Sequence, residues 1–194
     1  MTKKSIDLQV NTDPAWVQVI MDHFDEFLQD HANCERKASA LAMSLVVKYP
    51  DRTRIIPQLI TLAQEELGHF QQVYRLLEAR GLLLSKDTQD PYVNQLVHLL
   101  RSGREERFLD RMLISSLIEC RGAERFRLIS EALEDAELKR FYRELWASEA
   151  KHGHQFVEMI LHYFAPEVVY PRLHELAARE AEIIQHLAWR ASLH

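Results

Sequence analysis

Two short motifs constrain this chain more than anything else in it, Glu66-Leu-Gly-His69 and Glu149-Ala-Lys-His152. Each sets a carboxylate and an imidazole three residues apart. On an α-helix that spacing brings both side chains onto one face, within reach of a single metal ion. A lone Glu precedes each motif inside an apolar helical run. Glu35 lies 31 residues before Glu66, and Glu119 lies 30 before Glu149. The chain reads as two copies of one unit, a helix with Glu followed by a helix with Glu-x-x-His. A fold that uses both copies has to be helical and has to turn six polar side chains inward.

The remaining sequence agrees with that demand. Its 194 residues suit one domain, 1–194, with a sizeable core. Only 5 Gly and 6 Pro leave long uninterrupted stretches, and no strand alternation of useful length occurs. No apolar run approaches the roughly 20 residues of a membrane span. The first residues lack the apolar core of a signal peptide. Two Cys without a Cys-x-x-Cys argue against a disulfide scaffold or a structural zinc site. Together these features predict a cytoplasmic protein. A net charge of −5 disfavours a broadly basic nucleic-acid binder but leaves room for a local basic patch.

Helix signals follow in order. Asp13-Pro14 opens a first helix, with Trp16, Ile20, Phe24, Phe27 and Leu28 on one side, ending near His31. A second, Asn33 to Lys48, turns Glu35, Ala38, Ala42 and Leu45 inward. A third starts between Asp51 and Pro57 and runs to Arg80, where Gly81 stops it. Asp90-Pro91 opens a short helix through Arg101. Ser102-Gly-Arg-Glu105 has the spacing of a capping box and opens a long helix with Phe108, Met112, Glu119 and Phe126 on one side. The next helix follows Glu134-Asp135, carries Leu145, Glu149 and His152, and ends at Ala165-Pro166. A last one starts near Pro171. Each Glu helix is joined to its Glu-x-x-His helix by a short turn, so each pair is expected to be antiparallel. The 50 residues from His69 to Glu119 leave room for a crossover. The expected architecture is all-α, a ferritin-like four-helix bundle around a di-metal centre, with additional N-terminal, crossover and C-terminal helices.

The expected metal ligands are Glu35, Glu66, His69, Glu119, Glu149 and His152. Four carboxylates offset the four positive charges of two divalent ions, and oxygen plus imidazole suits iron or manganese better than a thiolate-preferring metal. Glu66 and Glu149 are expected to bridge, Glu35 and Glu119 to be terminal, and the histidines to bind one metal each. One Glu-x-x-His alone is usually surface decoration; its duplication behind an inward Glu is what carries the reading. Glu124 and His154 fall off the ligand phase. His23 and His31 read as satisfied histidines at a helix interface, Cys34 and Cys120 as small core residues, and Tyr74 and Tyr142 as packing. Ser115, Ser116, Gly122 and Ala123 flank Glu119. They either make room for dioxygen and a substrate or let helices pack closely, and the sequence leaves both readings open.

Four stretches around these residues carry a resemblance: His31-Ala-Asn-Cys-Glu-Arg-Lys-Ala38, Glu65-Glu-Leu-Gly-His69, Ile118-Glu-Cys-Arg-Gly-Ala-Glu-Arg-Phe126 and Ser148-Glu-Ala-Lys-His152. There the sequence resembles the bacterial tRNA hydroxylases that act on 2-methylthio-N6-isopentenyl-adenosine at position 37. The likeness covers most of the chain, although the ligand spacing alone is shared with ferritins, bacterioferritins and rubrerythrins. It leads one to expect Ala at position 120, where this chain has Cys120. The resemblance implies a di-iron monooxygenase with dioxygen as co-substrate and no catalytic residues beyond the ligands. Electrons would come from an external reductase or ferredoxin. The partner would be the tRNA anticodon loop, and the protein a monomer or small oligomer rather than a cage. Arg36, Lys37, Arg52, Arg54, Arg101, Arg104, Arg107, Arg111, Arg121 and Arg125 are the cations expected to form a positive rim at the pocket mouth. The competing readings are an iron-oxidising or iron-storing ferritin relative and a metal-free helical interaction module.

Overall fold

The computed structural model describes residues 7–194. Seven α-helices and no strand occur among them: α1 (Pro14–Asp22), α2 (Phe24–Lys48), α3 (Ile56–Ala79), α4 (Pro91–Val97), α5 (Arg104–Ala132), α6 (Ala136–Ile160) and α7 (Pro166–His186). The chain divides into two compact units. One holds Gln18–Thr88 and Arg190–Leu193. The other holds residues 7–17, Gln89–Trp189 and His194.

The first unit is built on the hairpin of α2 and α3. Ser39 Oγ donates to the Ala63 carbonyl at 2.8 Å, while Glu35 lies against His69. Residue numbers rise on one helix as they fall on the other, so the pair is antiparallel, as expected. Phe27, Leu28, Ala42 and Leu45 of α2 are buried with Leu59, Leu62, Val73 and Leu77 of α3. Gly81 ends α3 with φ of 68°, a left-handed conformation that an L side chain rarely adopts.

The second unit is built on α5 and α6, with α7 and α4 packed on α5 and on each other. Phe126 meets Tyr142, their ring centres 5.6 Å apart, and Ser116 Oγ donates to the Gly153 carbonyl at 2.6 Å. This pair is antiparallel too. Asp90 and Asp135 cap α4 and α6, each carboxylate accepting two backbone N–H groups.

Four boundaries differ from those expected. The first helix breaks at His23 (φ −130°, ψ 40°) instead of near His31, and α2 then runs unbroken through His31, Ala32 and Asn33. Nothing at 32 or 33 opposes a helix, whose own i, i+4 pair of His31 and Glu35 spans that point. The cap of α5 is Gly103, and Ser102 makes no capping bond. Glu106 folds back so closely that a Cβ on Gly103 would fall on its carboxylate. The short helix α4 stops at Val97, well before Arg101. Finally, α6 stops at Ile160, and Pro166 opens α7 in the first turn, where its missing N–H costs no helical bond. Pro171 lies inside α7.

Candidate metal centre

In the first unit the inward face of the hairpin collects Glu35, Glu66 and His69. One ligand atom from each lies within 4.8 Å of the others. Both carboxylates are buried. His69 Nδ1 faces both, 3.3 Å from Glu66 Oε2 and 3.5 Å from Glu35 Oε2. The other oxygen of Glu35, Oε1, lies 2.7 Å from Nε2 of His31, one turn earlier on α2. His31 is fully buried, and its ring stacks on Phe27 with centres 5.7 Å apart and planes 24° from parallel. The expectation that His31 is merely a satisfied interface histidine is therefore incomplete, because its partner is one of the inward carboxylates.

The second unit repeats the arrangement. Ligand atoms of Glu119, Glu149 and His152 lie within 4.8 Å of one another. His152 Nδ1 stands 3.3 Å from Glu149 Oε2, the same contact at the same distance as in the first motif. The histidines differ in access: the His152 side chain is 0% exposed and that of His69 is 12% exposed. In place of His31, the residue four before Glu119 is Ser115, also buried. Ser116, bonded to Gly153, together with Cys120 resting against the same glycine, shows α5 and α6 in close approach. For Ser116 this supports close packing over open space. Gly122 lies toward the His194 ring.

Each triad thus offers two carboxylates and one imidazole, a donor set of the kind that holds a divalent first-row metal. The i, i+3 geometry supplies two donors from one helix and the facing helix supplies the third. Tyr142 packs between Phe126 and Phe141, as expected of a core residue.

Several expected tRNA-facing cations are committed elsewhere. Arg121 is fully buried, giving Nε and Nη2 to Glu180 at 2.9 and 3.1 Å, Nη1 to Glu124 at 2.8 Å and Nη2 to the Val10 carbonyl at 2.8 Å. Glu124 also accepts from the backbone N–H and the hydroxyl of Thr12. Burial opposes the charge on Arg121, but the bonds and charge of Glu180 win and raise its pKa. Arg125 lies over the Trp16 ring at 4.6 Å. Burial, with Arg121 alongside, pulls it down to about 10. Arg101 and Arg172 both clasp the buried Asp110. Burial would raise the Asp110 pKa, but the bonds from Arg172 and Arg101 hold it below the usual value. Arg36 and Lys37 share Asp87 on the surface of the first unit. Arg54 and Arg104 remain exposed, and Arg52, Arg107 and Arg111 are half-buried. Sequence reasoning missed Glu180 altogether, although its place in the apolar stripe of α7 beside Leu176, Ala177 and Ala181 resembles that of Glu35 in α2.

No helix among the described residues is long and apolar enough to cross a membrane. All 194 residues match the family model described as tRNA-(MS[2]IO[6]A)-hydroxylase (MiaE). The chain is 36% identical over 175 residues to the tRNA 2-(methylsulfanyl)-N(6)-isopentenyladenosine(37) hydroxylase of Pseudomonas putida, covering 90% of this chain and 84% of that one. Similarity to the Salmonella typhimurium protein of the same name is 25% over 226 residues, covering 91% and 83%. Among solved structures, one titled "Protein 43 with aldehyde deformylating oxygenase activity from Synechococcus" superposes with a TM-score of 0.91 at 34% identity, over 96% of this chain and 94% of that chain. The class expected from the sequence, an all-α ferritin-like four-helix bundle with added helices, rests on this likeness and on the seven helices.

Proposed function

We propose that this chain, which belongs to the tRNA-(MS[2]IO[6]A)-hydroxylase (MiaE) family, is a di-iron monooxygenase that hydroxylates the isopentenyl group of 2-(methylsulfanyl)-N6-isopentenyladenosine at position 37 of tRNA. The observation that carries the reading is the pair of buried triads, each of two carboxylates and an imidazole at corresponding places on two helical hairpins. On this reading residues 1–194 work as one ferritin-like domain in the cytoplasm, and Glu35, Glu66, His69, Glu119, Glu149 and His152 hold two iron ions. The donors fit that metal: oxygen and imidazole in a two-to-one ratio, with four carboxylates to offset two divalent charges.

When bound, two iron ions supply the dioxygen activation that carbon hydroxylation needs. The reaction places one oxygen atom in a C–H bond of the substrate. The other leaves as water, which consumes two electrons and two protons. The chain's own residues hold and shield. His69 and His152 present Nδ1 toward the carboxylates. Burial of the four glutamates keeps bulk water from competing for the metal. Neither Cys34 nor Cys120 is in a disulfide. No Gly-rich dinucleotide motif is present, so an external donor has to bring the electrons. The base of an anticodon loop is already unstacked enough to be splayed into a pocket.

The test is reconstitution with ferrous iron, dioxygen and a chemical reductant, using tRNA from cells lacking the hydroxylase, followed by mass spectrometry of the nucleosides. Gain of one oxygen on the isopentenyl nucleoside is the expected result. The likeness to the Synechococcus protein favours a second reading, an aldehyde deformylating oxygenase, and a parallel reaction with an aldehyde separates the two. Turnover of the aldehyde without turnover of tRNA would transfer the assignment to that reading.

A further inference from the structure

We infer that His31 is a positioning residue that limits Glu35 to a single metal-facing oxygen. This rests on the metal-binding reading above. Glu35 is divided between two imidazoles on different sides. Oε1 is 2.7 Å from His31 Nε2, and Oε2 is 3.5 Å from His69 Nδ1 within the triad. A carboxylate that binds a metal is ionised and only accepts, so beside a metal-bound Glu35 the Nε2 of His31 would be the donor. The ring cannot readily turn away, because it is fully buried and stacked on Phe27. A metal held by this triad therefore meets Oε2 of Glu35, with Oε1 engaged elsewhere. Such outer hydrogen bonds fix the ligand's orientation and typically change metal affinity by about 10–100-fold when removed.

In the second hairpin the residue four before Glu119 is the buried Ser115, so the corresponding turn offers no imidazole.

Cobalt(II) titration followed by its visible absorption tests this without turnover. His31→Phe keeps the stacking volume and removes the donor, while His31→Gln keeps a donor. In the Glu119→Ala background, His31→Phe should weaken cobalt binding about tenfold, and His31→Gln should restore most of it. In the Glu35→Ala background, His31→Phe should change nothing, since its target carboxylate is gone. Thermal melts of the metal-free variants identify a folding defect. A melt lowered with an unchanged cobalt isotherm, equal failure of Phe and Gln, or an equal loss in the Glu35→Ala background would each overturn the positioning role. Absence of cobalt binding by the unaltered protein would instead refute the metal reading, and this proposal with it.

Discussion

The α2–α3 hairpin and the α5–α6 hairpin present the same three donors at nearly the same spacing, yet their settings differ. In the first, the lone Glu is gripped by a histidine from its own helix, and the motif histidine is part-exposed. In the second, the motif histidine is sealed and the helices approach closely at a glycine. The first hairpin also leaves Met43, Val47, Ile60, Leu67 and Tyr74 exposed, whereas the second exposes Trp146 alone among its large apolar residues. The second unit adds two buried ion clusters, at Arg121 and at Asp110, while the ion pairs of Asp87 in the first lie at the surface. Duplicated spacing sets where the donors point; the surroundings decide how rigidly each is held.

The largest expected effect comes from removing the lone glutamates one at a time. Glu35→Ala and Glu119→Ala should each lower iron from about two to about one per chain and reduce hydroxylation about 100-fold or more, by elemental analysis and nucleoside mass spectrometry. Two irons retained by either variant would show that its triad is not a metal position. Next in size is Glu180→Ala, which takes from the buried Arg121 the carboxylate that accepts two of its hydrogen bonds and leaves Glu124 as the carboxylate bonded to it. It should cost about 3–5 kcal/mol in denaturant unfolding, whereas Asp87→Ala, at a surface pair, should cost under about 1 kcal/mol.

The two glycines beside the histidines sharpen the contrast further. A Cβ on Gly153 would meet Cys120 Sγ at 2.7 Å and the Ser116 carbonyl at 3.1 Å, so Gly153→Ala should destabilise by about 1–3 kcal/mol. Gly68 has nothing within 4 Å of the same point, and Gly68→Ala should stabilise by about 0.5–1 kcal/mol through helix propensity. Thermal melts of the pair check the sign difference. The smallest effect is in acid. Asp110 has a folded pKa below its ordinary 3.8, so its contribution is present above that value and disappears as pH falls through the lower folded value. Asp110→Asn should flatten the fall in stability below about pH 4, measured by urea titrations across that range.

Much of this was legible in the sequence because it is local. Glu66 and His69 share a helix face by spacing alone, as do Glu149 and His152, and Gly81, Asp90 and Asp135 carry their turn and cap chemistry with them. What escaped depends on distant partners. Glu180 lies in an apolar stripe just as Glu35 does, and only the fold shows that it answers Arg121, 59 residues away. Arg121 and Arg125 looked like surface cations for the same reason. The helix break at His23 has no Gly or Pro to announce it, and Pro166 and Pro171 are close enough for either to open α7.

Val10 and Thr12 leave the ribosome early, but the side chains that receive them, Arg121 and Glu124, follow 111 and 112 residues later. At about 5–20 residues per second, Val10 and Thr12 wait roughly 6–20 seconds for their partners. The α2–α3 hairpin has no such delay, since both of its arms emerge together. A stalled or truncated product that stops before α5 would therefore carry a complete first hairpin, with Val10 and Thr12 lacking their α5 partners.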